Sequence, residues 1–417
     1  MGRDLMTTAA DNSPLFASFA LNGLELRNRT IRSGCFEGMS QGGKVTDRLI
    51  EHHRQVAAGG VGMTTLSYCS VSPDGRAFSH ELWMDPQILP DLRRFTQAVH
   101  AEGAAASVQL GHCGFFASPS VIGLRPLGAS PKFCLFRLSY CREMTETDIQ
   151  EKTADFVRAA GLAQEAGFDA VEIHAGHGYL LSQFISPWTN RRTDRYGGPL
   201  ENRMRFPAEV VRQVRAKLGP GCPILVKMNQ RDGMRGGLEL DEAVQVAQMF
   251  EAAGASALVP SCGFTASTPL YMLRGGRPVT EMVKAQKGFF PKIGLSLFGR
   301  IMVQKYPFEP LFLLEGARRI REAVSIPVGY VGGARSAVEM KDLIAEGFAF
   351  IQIGRPTIRD PEFIKRLERG DITASDCDQC NRCIASMSAD GVSCALEPAV
   401  ASGAPSETAL TATPGAD

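Results

Sequence analysis

The chain has 417 residues, enough for one large α/β barrel with additions or for two ordinary domains. Its 45 Lys and Arg against 44 Asp and Glu leave a formal net charge of +1, with the signs interspersed, so the overall balance predicts neither a nucleic-acid nor a membrane surface. Eleven cysteines, an odd number that bunches only between Cys377 and Cys394, fit reduced thiols plus one cluster better than a disulfide framework. The opening MGRDLMTTAADNSPLF lacks a basic region followed by an apolar core, and no apolar run reaches a membrane-spanning length, so a cytoplasmic protein is expected.

Residues 1–13 read as a flexible N-terminus and residues 15–26 as an apolar-polar lead-in. NRTIRSG, residues 28–34, is a first short strand. Helical spacing at Leu49, Ile50, His53, Val56 and Ala57 stops at Gly59-Gly60, and residues 62–71 form a second strand. Residues 89–102 are a helix closed by Gly103, and residues 104–110 a third strand. Residues 113–143, rich in Gly, Pro, Ser, Phe and Cys, interrupt the alternation as a lid-like insertion or hairpin. Thr145 and Asp148 then form a capping-box pattern that opens a helix, which leads into strand four at residues 170–176. A helix over 200–218, strand five at 223–228, a helix over 240–253 and strand six at 257–260 follow. Residues 265–312 are a second long excursion. The alternation resumes with a helix over 314–324, strand seven at 327–331, a helix over 336–346, strand eight at 348–353 and a last helix over 361–369.

Eight short apolar strands alternating with amphipathic helices require crossover connections, and a closed (β/α)8 barrel of the α/β class fits better than an open doubly wound sheet. No G-x-G-x-x-G follows a strand to mark a separate dinucleotide domain. The barrel is expected over 14–370 with lid insertions, a Cys-rich C-terminal extension over 371–397 and a disordered tail over 398–417. Such a barrel places its chemistry where strands end. His174, His177 and Tyr179 leave the end of strand four together, Gln109 closes strand three, Lys227 lies at the end of strand five and Ser261 follows strand six. The Gly332-Gly333 and Gly354-Arg355 turns after strands seven and eight suit close approach of backbone N–H groups to a phosphate.

The run H-x-x-H-x-Y followed by L-x-x-F-x-S-P-x-x-N-x-R-x-D-x-Y-G-G-x-x-x-N-R-x-R-F, within residues 174–206, resembles the signature of the Old Yellow Enzyme family of FMN-dependent ene-reductases. The resemblance implies FMN as cofactor and NADH or NADPH as reductant. It assigns Gly333, Gly354 and Arg355 to the FMN phosphate, with Ser261 or Gly263 assisting. Gln109 and Lys227 would meet the pyrimidine edge of the flavin, Lys standing where many relatives carry Arg, and Ser33, Gly34, Cys35 and Tyr68 would line its other edges. His174 and His177 would hold the carbonyl oxygen of a small α,β-unsaturated substrate while Tyr179 protonates its α-carbon.

Cys377-x2-Cys380-x2-Cys383-x10-Cys394 resembles the iron–sulfur segment of the trimethylamine dehydrogenase and 2,4-dienoyl-CoA reductase branch. A cubane iron–sulfur cluster (4Fe–4S), a structural zinc and a metal-free segment all remain open for these four thiols. Two further readings of the whole chain also remain open: an oxidative amine or C–H dehydrogenase using such a cluster, and a non-catalytic flavin-binding barrel. Association with further copies of the chain is left open too.

Overall fold

In the computed structural model, residues 13–285, 288–387 and 391–396 are described; most of the expected N-terminal arm and the expected tail lie outside them. The chain begins with a hairpin of β1 (Phe19–Leu21) and β2 (Leu24–Leu26), whose Leu21 and Leu26 pack with Ile31, Met63, Ala170, Leu225 and Ala257. Since those partners lie at or near the starts of their strands, the hairpin plugs the N-terminal end of the barrel. This plug was read from sequence only as a lead-in.

The barrel strands are β3 (Thr30–Arg32), β4 (Met63–Ser70), β5 (Ala105–Gly111), β6 (Ala170–Ala175), β7 (Ile224–Asn229), β8 (Ala257–Ser261) and β9 (Ile351–Ile353). Their spatial order is β8, β7, β6, β5, β4, β3, β9, and every neighbouring pair is parallel. The gap between β8 and β9 is closed by the expected seventh strand, which is reduced to parallel bridges from Val328 to Leu258 and from Tyr330 to Ile351. Residues 327–331 carry Pro327 and Gly329, so one donor is missing and one residue packs no side chain, and a long regular ladder does not form there. The sheet is nonetheless continuous around the circle, which bears out the (β/α)8 fold.

Amphipathic helices cover the sheet. α1 (Asp47–Ala58), α2 (Leu89–Ala101) and α3 (Glu146–Glu165) follow in order, and α3 opens on the expected capping box, with Asp148 N donating to Thr145 Oγ1 (3.2 Å) and Thr145 N to Asp148 Oδ2 (2.7 Å). The helix expected over 200–218 is broken at Met204 into a short turn and α4 (Arg205–Leu218), and α5 (Leu240–Ala252) follows β7. The excursion after β8 is not irregular throughout: it holds α6 (Val279–Ala285) and α7 (Phe289–Met302). Pro291 and Gly288, Gly294 and Gly299 mask this second helix from pattern reading. The insertion after β5 carries a hairpin with Phe133 paired antiparallel to Tyr140, and none of residues 113–143 lines the cavity described below. Beneath the hairpin lies a separate aromatic layer that includes Tyr68, Phe115, Phe116 and Phe264.

Candidate active site

The site is built on the inward-pointing residues of the last barrel layer. Parallel register sets Glu172 of β6 beside Gln109 of β5, and His174 two residues on beside Lys227 of β7. Because side chains alternate along a strand, Glu172 and His174 face the same way, into the barrel. Glu172 is the hub: its Oε1 accepts from Lys227 Nζ (2.9 Å) and Gln109 Nε2 (2.7 Å), and its Oε2 from Gln352 Nε2 (2.7 Å). Lys227 also donates to Ser33 Oγ (3.1 Å), which in turn donates to Gln352 Oε1 (3.0 Å). Glu172, Lys227, Gln109 and Gln352 are all buried, and an ammonium and a carboxylate so placed are tolerable only because each is paired and further hydrogen-bonded.

Glu172 and Gln352 were missed by sequence reasoning. Their signal was present, one charge in the apolar run AVEIHA and one amide in IQI, but a polar residue within a short strand is equally read as facing solvent.

At the strand end, Gly176 N donates to His174 Nδ1 (3.3 Å), which puts the His174 proton on Nε2. That nitrogen lies 3.2 Å from His177 Nδ1, and His177 Nε2 lies 2.7 Å from Ser261 Oγ. With the Ser261 hydroxyl accepting, the relay runs from His174 to His177 to Ser261. When Ser261 donates instead, His177 carries its proton on Nδ1 and both rings offer N–H groups to a single incoming oxygen. Ser261 is thus placed against the histidine pair, where its hydroxyl sets the His177 tautomer. His177 has a left-handed backbone (φ +56°), held by its N–H bond to Asn229 Oδ1 (2.9 Å), and Asn229 is in turn fixed by Asp232 (2.8 Å) and the Gly263 carbonyl (2.7 Å).

Burial pushes His177 down to about 3 and His174 well below its ordinary value, with the Lys227 charge adding to both, so both rings are neutral near pH 7. The Tyr179 ring stands edge-on to His174 at 4.8 Å and beside Tyr68 at 5.2 Å. Burial above all, with Cys113 and Glu81 nearby, drives its phenol well above the usual range, so it keeps its proton.

These groups line one cavity of about 300 Å³, within the size range of small-molecule sites. Ser33, Gly34, Cys35, Tyr68, Gln109, His174, His177, Tyr179, Lys227 and Ser261 border it, as do Gly333, Gly354 and Arg355, with Gly354 packed close to Cys35. The cavity thus brings together the residues assigned to the flavin and the substrate, except Gly263, which does not line it. A Cβ on Gly34 would stand 2.8 Å from Gln109 Nε2, and one on Gly333 3.1 Å from the Glu309 carbonyl, so glycine lets these walls pack this closely against their neighbours. FMN suits this donor set: Lys227 and Gln109 each retain an N–H beyond those already bonded, and the Gly332-Gly333 turn, with positive φ at both residues, bares its backbone to the cavity. Arg355 is differently engaged. Its guanidinium donates to the carbonyls of Leu273 and Arg274 and to Asn381 Oδ1, tying the end of β9 to the second insertion and the Cys-rich segment.

That segment is part of the cavity wall rather than an appendage. Cys383, Ile384 and Met387 line the cavity, Gly276 N bonds to Gln379 O (2.8 Å), and His80 Nε2 meets Met387 O (3.0 Å). Among the described residues no group of three or more His, Cys, Asp or Glu is arranged to hold a single metal ion, although Cys377, Cys380, Cys383 and Cys394 lie in one neighbourhood. An iron–sulfur cluster, one of the three readings left open for these thiols, is not shown by this arrangement.

A parallel eight-membered barrel with neutral histidine donors, a protonated phenol and a flavin-shaped set of donors at its C-terminal end defines a flavin oxidoreductase. Residues 14–262 match the NADH:flavin oxidoreductase / NADH oxidase family, and the chain belongs to it, as the Old Yellow Enzyme signature implied; it is an NADH- or NADPH-dependent flavin oxidoreductase. A 4,4'-dithiodibutanoate disulfide reductase of Rhodococcus erythropolis is 38% identical over 91% of this chain and 94% of its own length. Among solved structures, a 2-naphthoyl-CoA reductase superposes with a TM-score of 0.75 at 25% identity, covering 87% of this chain but only 53% of that one. The Old Yellow Enzyme homologue of Zymomonas mobilis shares the fold, with a TM-score of 0.70 at 21% identity over 88% of this chain and 95% of its own. The chain therefore spans nearly all of some relatives and about half of others.

Proposed function

We propose that the protein reduces the C=C bond of an α,β-unsaturated carbonyl compound, with NADH or NADPH as the electron source. The observation that supports this reading is the meeting of His174, His177 and Tyr179 on one cavity, both imidazoles neutral and the phenol protonated, with His177 able to carry its proton on Nδ1 when Ser261 donates to its Nε2. FMN, held by Gln109, Lys227 and the Gly332-Gly333 turn, would supply the two-electron hydride chemistry that links the nicotinamide to the substrate β-carbon. His174 Nε2–H and His177 Nδ1–H hold the carbonyl oxygen and gain strength as negative charge builds on it, which is stabilisation of the transition state rather than of the ground state. Tyr179 gives its proton to the α-carbon. Its phenol is a useful acid here because burial keeps it from ionising before that carbon becomes basic.

A second reading, reduction of an organic disulfide, is favoured by the likeness to the Rhodococcus reductase along almost its whole length. The oxidative alternative through a Cys-bound cluster draws no support from the arrangement of the four cysteines. The test is anaerobic: enzyme reduced with one equivalent of NADPH is mixed with 2-cyclohexenone or with 4,4'-dithiodibutanoate, and flavin reoxidation is followed. Rapid reoxidation by the enone alone supports the proposal, and reoxidation by the disulfide alone replaces it with the second reading.

A further inference from the structure

The two insertions at the C-terminal end of the barrel share a property that the redox chemistry leaves unused. α7 turns Leu295 and Gly299 toward the protein, Gly299 so close to Val279 that a Cβ would lie 2.6 Å from its Cγ1. Its opposite face carries Ile293, Leu297 (68% exposed) and Ile301 (76% exposed) at four-residue spacing, with Phe298 alongside, so the stripe is a continuous apolar ridge in water. Residues 277–305, which contain this helix, hold six Lys and Arg against the single Glu281, in a chain whose net charge is +1. The hairpin of the first insertion repeats the combination. Leu135, Leu138 (77% exposed) and Tyr140 stand out from its tip, and residues 124–142 carry no acidic residue, though of their four cations Arg142 is paired with Asp148 and Arg137 packs on Phe78 and Phe116, which leaves Arg125 and Lys132. Both insertions follow the C-terminal ends of barrel strands, and Met282 of α6 and Val303, which follows α7, line the cavity.

We propose that this end of the barrel is a peripheral docking surface for an anionic lipid bilayer, with α7 lying in the headgroup plane and the cavity mouth beside it. An amphipathic helix of aliphatic and Phe side chains among Lys and Arg has the chemistry of an interfacial helix, and no helix among the described residues is long and apolar enough to cross the membrane. Charge decides against a second copy of the chain as the occupant. A two-fold contact through this patch would set its excess of cations against the same excess, whereas anionic headgroups neutralise it. The consequence is access for lipophilic substrates that partition into the bilayer. Docking is independent of which bond the flavin reduces, so its test needs no turnover.

Full-length, FMN-loaded protein is sedimented with vesicles of phosphatidylcholine alone and with vesicles containing phosphatidylglycerol, at low and high salt. Binding to the anionic vesicles only, weakened by salt, is the expected result. Replacement Leu297→Ser/Ile301→Ser is expected to weaken it by more than about tenfold, while NADPH oxidation without vesicles is unchanged. A second variant, Leu138→Ser, reads the hairpin separately and weakens binding further. Absence of binding to either vesicle, binding undiminished in the Leu297→Ser/Ile301→Ser variant, or concentration-dependent dimerisation abolished by the same variant would each overturn the proposal.

Discussion

The buried Glu172–Lys227 pair makes the most quantitative prediction. At 2.9 Å the attraction between the two charges is about 6 kcal/mol at an effective dielectric of about 20. Glu172→Gln keeps the shape and an oxygen able to accept from Gln352 but strands the ammonium, and removing one member of such a pair costs roughly 3–5 kcal/mol. With a denaturant slope near 3 kcal/mol/M, the urea midpoint falls by about 1 M. Lys227→Gln strands the carboxylate and costs a similar amount. The double variant contains no stranded charge, so its loss should be smaller than the sum of the singles, with a coupling of about 3 kcal/mol. Apoprotein unfolding followed by far-ultraviolet circular dichroism reads all four corners of the cycle. Additive losses would refute the hub role given to Glu172.

Three further outcomes follow from the site. His174→Ala removes one of two converging donors and should weaken binding of a phenol at the flavin face by about 10- to 100-fold in a spectral titration; unchanged affinity would make the ring structural. Folded-state values of about 3 for His177, and well depressed for His174, lie below the free imidazole value. The neutral rings therefore persist as pH falls, and affinity for a neutral carbonyl ligand should be flat from about pH 8 to pH 5; a loss centred near 6.5 would contradict their burial. Cys380→Ser should leave FMN content unchanged, because Cys380 does not line the cavity, and loss of FMN from the purified variant would displace the Cys-rich segment from its assigned position.

The barrel was legible because each strand is short, apolar and stopped by glycine or a polar turn, and each helix repeats its apolar face over three or four turns. His174, His177 and Tyr179 were legible for a different reason: three proton-handling residues leave one strand end within six positions. What pattern reading lost depends on contacts distant in sequence. Glu172 becomes a hub only when Gln109, Lys227 and Gln352 arrive from three other strands, and Ser261 becomes a partner of His177 only across 84 positions. The same applies to Arg355, whose expected phosphate role was read from its Gly-Arg turn, while its observed bonds reach back to Leu273 and Arg274 and forward to Asn381. The cysteine spacing shows the converse, a local pattern for which the described residues show no single-ion ligand set.

The proton assigned to Tyr179 is the centre of this account, and the two half-reactions of the Tyr179→Phe variant test it most directly. In anaerobic stopped-flow, reduction of the flavin by NADPH should proceed at close to the wild-type rate, while reoxidation by 2-cyclohexenone should slow by about 100-fold or more, the usual contribution of a general acid. Equal slowing of both half-reactions, or reoxidation as fast as in the wild type, would contradict the role of Tyr179 as the proton donor.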